Sequence, residues 1–236
     1  FRYVLFSVAF NFFISALGVI WVPFLKDGLR ISQSLILGIS SYSFIICAGV
    51  SLITGPVADR TGSRPLMAFA SALILIAQSG WMLLSAGVLP NHVSTLFMIV
   101  TIGSIGYPIL GLASTRLLMG LIPDKGRSHF FAIASVAISL TLGLMPIAWG
   151  FILDRLGGLI KEGIAFLPNW TWNHYSLLYA IVLAGTLASQ FLRHRLDEPR
   201  AMSTEEFLRI ILIQSPLRLI ARVLSPLRNF QMPGGG

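Results

Sequence analysis

The sequence carries six long apolar runs, at residues 3–25, 34–54, 65–88, 94–122, 129–153 and 175–192. An α-helix needs about 20 apolar residues, at roughly 1.5 Å rise each, to cross the hydrocarbon core of a bilayer. The spacing therefore predicts an all-α membrane protein with six transmembrane helices. Trp21 stands near the end of the first run, and Trp170, Trp172 and Tyr175 stand just before the last, where interfacial aromatics belong. Pro65 is well placed at a helix start.

Composition points the same way. The chain is 55% hydrophobic and 11% charged, whereas a soluble domain carries about 25% charged residues. The net charge of +8 raises the question of nucleic acid, but the basic residues sit in short loops and in the tail. Such a distribution reports membrane topology and excludes a nucleic-acid partner. The partner expected is the lipid bilayer. The single cysteine, Cys47, lies inside an apolar run, which excludes a disulfide or a thiolate metal cluster. Every carboxylate falls at a span end, in a loop or in the tail, and His92, His129, His174 and His194 also lie at edges. No Gly-x-Ser-x-Gly occurs. No catalytic residue, metal site or cofactor is expected, and the chain does not read as an enzyme.

Six spans put both ends on one side. Arg2, Arg60, Arg64, Arg116, Lys125, Arg127, Arg193, Arg195 and Arg200 fall on that side, and Lys26, Arg30, Arg155 and Lys161 on the other. The excess makes both termini cytoplasmic in a multi-pass protein, with the bacterial inner membrane as its expected home. Residues 1–195 form the transmembrane domain. In 196–236, apolar residues alternate with Arg209, Arg218, Arg222 and Arg228, as expected of short amphipathic helices lying on an anionic leaflet.

Between the second and third runs lies Gly55-x-x-x-Asp59-Arg60-x-Gly62-x-Arg64. Gly55 allows a close approach of helix ends, Gly62 permits the positive φ of a tight reversal, and Asp59 can accept hydrogen bonds from a helix N-terminus. Arg60 and Arg64 hold the turn on the positive side of the membrane. The pattern resembles the signature loop of the major facilitator superfamily. The resemblance covers about residues 1–195 and implies one six-helix half of a transporter, built from two inverted three-helix repeats at 3–88 and 94–192.

It further implies that the missing partner is the other half. The solute path would run between the halves, lined by the first, second, fourth and fifth helices, with the third and sixth peripheral. The opening Phe1-Arg2-Tyr3 and the absence of a seventh span favour the C-terminal half. By the same resemblance the loop forms a conformational latch of Gly55, Asp59, Arg60, Gly62 and Arg64. Asp59 then faces a helix end of the opposite half, and Asp124 is the nearest acid for Arg64. One departure stands out. The family's buried arginine of the fourth helix has no match, because Arg116 lies too near the cytoplasmic end. Arg116 either snorkels to the headgroups or pairs with an acidic loop residue. The Gly143-x-x-Pro146-x-x-x-Gly150 pattern resembles the family's antiporter motif only weakly, and exchange is not inferred from it.

Polar side chains inside the spans mark candidate solute contacts, because unsatisfied polar groups are costly in lipid. Ser7, Asn11 and Ser15 recur along one face of the first span, with Asn11 the foremost candidate. Tyr107 sits among Gly103, Gly106, Pro108 and Gly111, which either permit bending or allow close packing. Ser43, Ser135 and Ser139 complete the set. The function expected is half of a secondary active or facilitative transporter that moves a small solute by alternating access. The alternative is a six-helix membrane binding or scaffold protein without transport.

Overall fold

The computed structural model describes residues 2–122, 127–159, 164–167 and 170–194. It contains six helices, α1 (Arg2–Pro23), α2 (Gln33–Thr61), α3 (Ser63–Ser85), α4 (Val93–Leu121), α5 (Arg127–Leu159) and α6 (His174–His194). All six are long and apolar enough to cross a membrane. The tail at 196–236 and Asp124 lie outside the described residues.

Several helix ends differ from the apolar runs, among them those of α1 and α2 and that of α5, which reaches Leu159. Past Pro23, α1 continues as a π-helical turn over Phe24–Gly28, closed by Leu29 N–H donating to the Phe24 carbonyl at 2.9 Å. The second helix does not stop where its apolar run stops. It passes through Gly55 and Pro56 to Thr61 and gives way to α3 after the single residue Gly62. Gly62 holds φ 84°, open to glycine at little cost, and its N–H bonds the Ala58 carbonyl at 3.1 Å. A helix continues wherever its backbone bonds are met, whether or not its side chains are apolar. With 29 residues, α2 extends about 43 Å, longer than the roughly 30 Å hydrocarbon core, so its last turns project into the polar region. Gly55 therefore lies inside a helix, and a Cβ there would meet nothing within 4 Å. The expected close approach at Gly55 is not made.

Between α5 and α6 the chain forms a short antiparallel ladder, β1 (Ile164–Leu167) with β2 (Trp170–Trp172), where the apolar pattern had suggested only an interfacial aromatic belt.

The packing of the helices has an internal symmetry. α1 packs on α5 and α6, α4 packs on α2 and α3, and α3 packs on α6. Exchanging α1 with α4, α2 with α5 and α3 with α6 leaves this set of pairs unchanged. The order of three helices per repeat makes the second triplet enter from the opposite end. The two triplets are thus inverted repeats joined through α3 and α6.

These two helices are peripheral to the front face but not to the fold: they form its back wall and are buried along much of their length. Phe6, Phe10, Leu66, Ala70, Ile74 and Leu117 pack together toward the Asp59 end, and Ile20, Phe24, Trp81, Leu96, Ile99 and Tyr179 toward the other. In contrast α2 and α5 turn large apolar side chains outward, with Phe44 75% and Leu52 79% exposed on α2, and Ile133 65% and Phe151 69% exposed on α5.

Glycines set the closest helix approaches. A Cβ on Gly185 of α6 would stand 2.2 Å from the Phe13 ring of α1. One on Gly106 of α4 would stand 2.9 Å from Ile74 and 3.1 Å from the Ala70 carbonyl of α3.

Candidate functional site: an interhelical cleft and the α2–α3 turn

α1 and α4 have no interface comparable to those above. They face each other across a cleft of about 380 Å³ that lies toward the end of the bundle remote from Asp59. One wall is Ile14, Leu17 and Trp21 of α1. The other combines Ser43 and Phe44 of α2 with Ser104 and Tyr107 of α4, and Ala77, Trp81 and Tyr179 of α3 and α6 form the floor. The sequence places these residues by periodicity: Ile14, Leu17, Gly18 and Trp21 share one helical face.

The α2–α4 wall is held by hydroxyl pairs. Ser43 and Ser104 share a hydrogen bond of 2.7 Å, Tyr42 and Thr101 one of 2.9 Å, and the Cys47 thiol reaches the Ser104 carbonyl at 3.4 Å. Small hydroxyl side chains satisfy one another across helices in lipid, and such bonds contribute about 0.6 kcal/mol each on average. Behind the cleft, Gln78 of α3 donates through Nε2 to the Thr186 hydroxyl of α6 at 3.3 Å, and the Tyr107 hydroxyl lies beside the same amide. This buried group links α4, α3 and α6. Trp81 and Tyr179 stack with ring centroids 6.3 Å apart.

Of the residues singled out in the sequence, Trp21, Ser43, Gly103 and Tyr107 line this cleft. The Ser7, Asn11 and Ser15 face does not. Asn11 Nδ2 donates to the Ser7 carbonyl at 2.7 Å, Ser15 donates to the Phe12 carbonyl at 2.8 Å, and Ser7 and Ser15 are buried. Their polarity is met within α1 itself, the local bonding that serine and asparagine offer inside a helix. Ser139 is exposed on α5, away from the cleft. The glycines of α4 serve close packing at Gly106, and α4 stays helical through Pro108. Sequence reasoning missed Gln78, Ser104, Trp81 and Tyr179. A lone glutamine within an apolar run was the one available signal.

At the far end, the turn acquires a partner that the sequence left open. Arg116 Nη1 donates to Asp59 Oδ1, so Arg116 pairs with an acidic residue instead of snorkelling alone. The pair is exposed, with Asp59 75% and Arg116 39% accessible, and it ties the end of α2 to α4. Arg64 stands in the first turn of α3 within electrostatic reach of Arg193, which is buried and donates through Nε to Gln190 Oε1 at 2.9 Å. Arg60 stands in the last turn of α2, and its side chain lies outside the described residues.

Six membrane-length helices in two inverted triplets, with a cleft between their first helices, make up a transporter-type membrane fold. The chain belongs to the Major Facilitator Superfamily, whose model matches residues 4–229. No curated protein matches it. Among solved structures it is similar to a peptide transporter POT, with TM-score 0.60 and 18% identity, covering 97% of this chain and 46% of that one. A POT family transporter in complex with a thioalcohol-conjugated peptide gives TM-score 0.60 and 21% identity over 97% and 46%. A D-xylose-proton symporter gives 0.57 and 18% over 94% and 52%. The chain thus spans about half the length of these transporters.

Proposed function

We propose that the chain is one half, the C-terminal half, of a secondary transporter that moves a small solute by alternating access and catalyses no reaction. The observation that carries this reading is the cleft between α1 and α4, flanked by the outward apolar faces of α2 and α5. A second six-helix half seated on those faces would roof the cleft and convert it into a central cavity. The fit to about half of each solved transporter supports the same reading.

In this reading the Asp59–Arg116 pair belongs to a latch at the cytoplasmic end, together with Gly62 and Arg64. An exposed pair stabilises the fold by only about 0–1 kcal/mol. About 1.4 kcal/mol is already tenfold in a population, so a contact made in one end state only can weight the cycle. In this reading both termini face the cytoplasm at a bacterial inner membrane, an orientation supported by the basic excess at this end. A tag after Gly236 should then be inaccessible from outside intact cells.

The test uses the full-length protein in right-side-out and inside-out vesicles. Ile14→Cys on the cleft wall should react with an impermeant maleimide from both faces, because an alternating cavity opens to each in turn. Labelling from one face only would identify a static binding or scaffold protein and overturn the proposal.

A further inference from the structure

We infer that the solute held by this half is uncharged, with a ring-bearing or otherwise apolar body and at least one hydroxyl or comparable hydrogen-bonding group. This rests on the transporter reading and specifies its solute class.

Three observations carry it. First, among the described residues no acidic or basic side chain lines the cleft. A charged solute would lose its hydration here with no counter-ion on this wall, and an unpaired charge is among the costliest things to bury. Second, the lining is aromatic on several sides: Trp21 on α1, Phe44 on α2, Tyr107 on α4, and the stacked Trp81 and Tyr179 beneath. Faces of this kind take up apolar rings through dispersion and offset stacking.

Third, Tyr179 in the floor and Gln78 behind it carry polar atoms that are not spent on the protein. The Tyr179 hydroxyl and Gln78 Oε1 are buried without a hydrogen-bond partner, in residues 1% exposed each. Most buried polar groups are paired, and an orphan calls for an explanation. Tyr179 belongs to the cleft floor, and Gln78 lies beside Tyr107, which also lines the cleft. A solute hydroxyl seated at the floor would give the Tyr179 hydroxyl the partner it lacks. The Ser43–Ser104 pair at the wall already satisfies itself and retains lone pairs to accept a second donor. A cleft of about 380 Å³ falls in the range of roughly 300–1,000 Å³ usual for small-molecule sites.

The experiment takes the full-length protein in lipid nanodiscs and follows tryptophan fluorescence, since Trp21 and Trp81 flank the cleft. Four probes share one ring system: 2-(1-naphthyl)ethanol, 1-naphthylacetate, 2-(1-naphthyl)ethylammonium and 1-ethylnaphthalene. The alcohol should bind saturably, and at least about tenfold more tightly than either ion. Tyr179→Phe should weaken the alcohol by about 2- to 10-fold, the net effect of one neutral hydrogen bond, and leave ethylnaphthalene unchanged. An ion that binds as tightly as the alcohol overturns the inference, as does the absence of saturable alcohol binding. An equal loss for alcohol and hydrocarbon in Tyr179→Phe would make the hydroxyl structural and would also overturn it. Each of these results leaves the two-sided labelling of Ile14→Cys untouched, so failure of the solute class is distinguishable from failure of the transporter reading.

Discussion

The α2–α4 and α5–α1 interfaces are counterparts under the exchange of the two repeats, yet they are built from different chemistry. The first is joined by hydroxyls and a thiol, Ser43 with Ser104, Tyr42 with Thr101 and Cys47 with the Ser104 carbonyl, with a single edge-on ring contact of Tyr42 on Phe97 at 4.9 Å. The second is aromatic. Trp149 of α5 packs against Phe12 and Phe13 of α1, with ring centroids 5.4 and 6.3 Å away, and donates its indole N–H to the Phe12 carbonyl at 2.8 Å. One topology therefore supports both a wall of adaptable short hydrogen bonds and a wall of large interlocked rings. Only the polar wall borders the cleft. The lesson is that the symmetry of the repeats dictates which helices meet, while the side chains decide which meeting stays closed and which lines a cavity.

The α1–α6 contact beside this aromatic wall should be the one most easily broken by crowding. Gly185→Ala places a methyl group within the space of the Phe13 ring and should cost about 3 kcal/mol or more, above the usual overpacking range. The loss would appear as a collapsed yield of monodisperse protein after mild heating in detergent. Phe13→Ala combined with Gly185→Ala should recover part of it. A double variant no better than the single would show that the close approach is not what limits this interface.

Gly106→Ala tests the counterpart contact between α4 and α3. It should cost about 1–3 kcal/mol, because the Ala70 carbonyl is backbone and yields little. A thermal midpoint unchanged from the parent would mean that α3 and α4 separate freely there.

Trp149→Phe removes the bond to the Phe12 carbonyl and part of the ring packing, and should lower stability by about 1 kcal/mol. Ser104→Ala should cost about 0.6 kcal/mol, the average for an interhelical bond in lipid. If Ser104→Ala destabilises more than Trp149→Phe, the polar wall is the stronger of the two and the comparison reverses.

The smallest effect on stability belongs to Asp59→Asn. The pair is exposed, so the change should fall within about 1 kcal/mol, while maleimide labelling of Ile14→Cys from the cytoplasmic face should rise. Combining Asp59→Arg with Arg116→Asp should restore the parental labelling. Labelling that ignores both changes would leave the pair without a part in the cycle.

The inverted triplets were implied by the family resemblance, whereas the existence and order of six spans and the sharp reversal at Gly62 were legible in the sequence. They depend on local quantities, namely the length of apolar runs, hydropathy, and the backbone freedom of one glycine. The end of α2 was misjudged because apolarity marks where lipid stops and not where helical hydrogen bonding stops. At Asn11, periodicity identified a polar face but could not say that its amide is met by the Ser7 carbonyl of the same helix. The cleft, the Ser43–Ser104 and Asp59–Arg116 bonds and the Gln78–Thr186 link belong to tertiary structure alone. Their partners stand 61, 57 and 108 residues apart. A helical face presents many side chains at similar angles, and only the packing of α3 against α6, with α1 and α4 held apart in front, selects which of them meet.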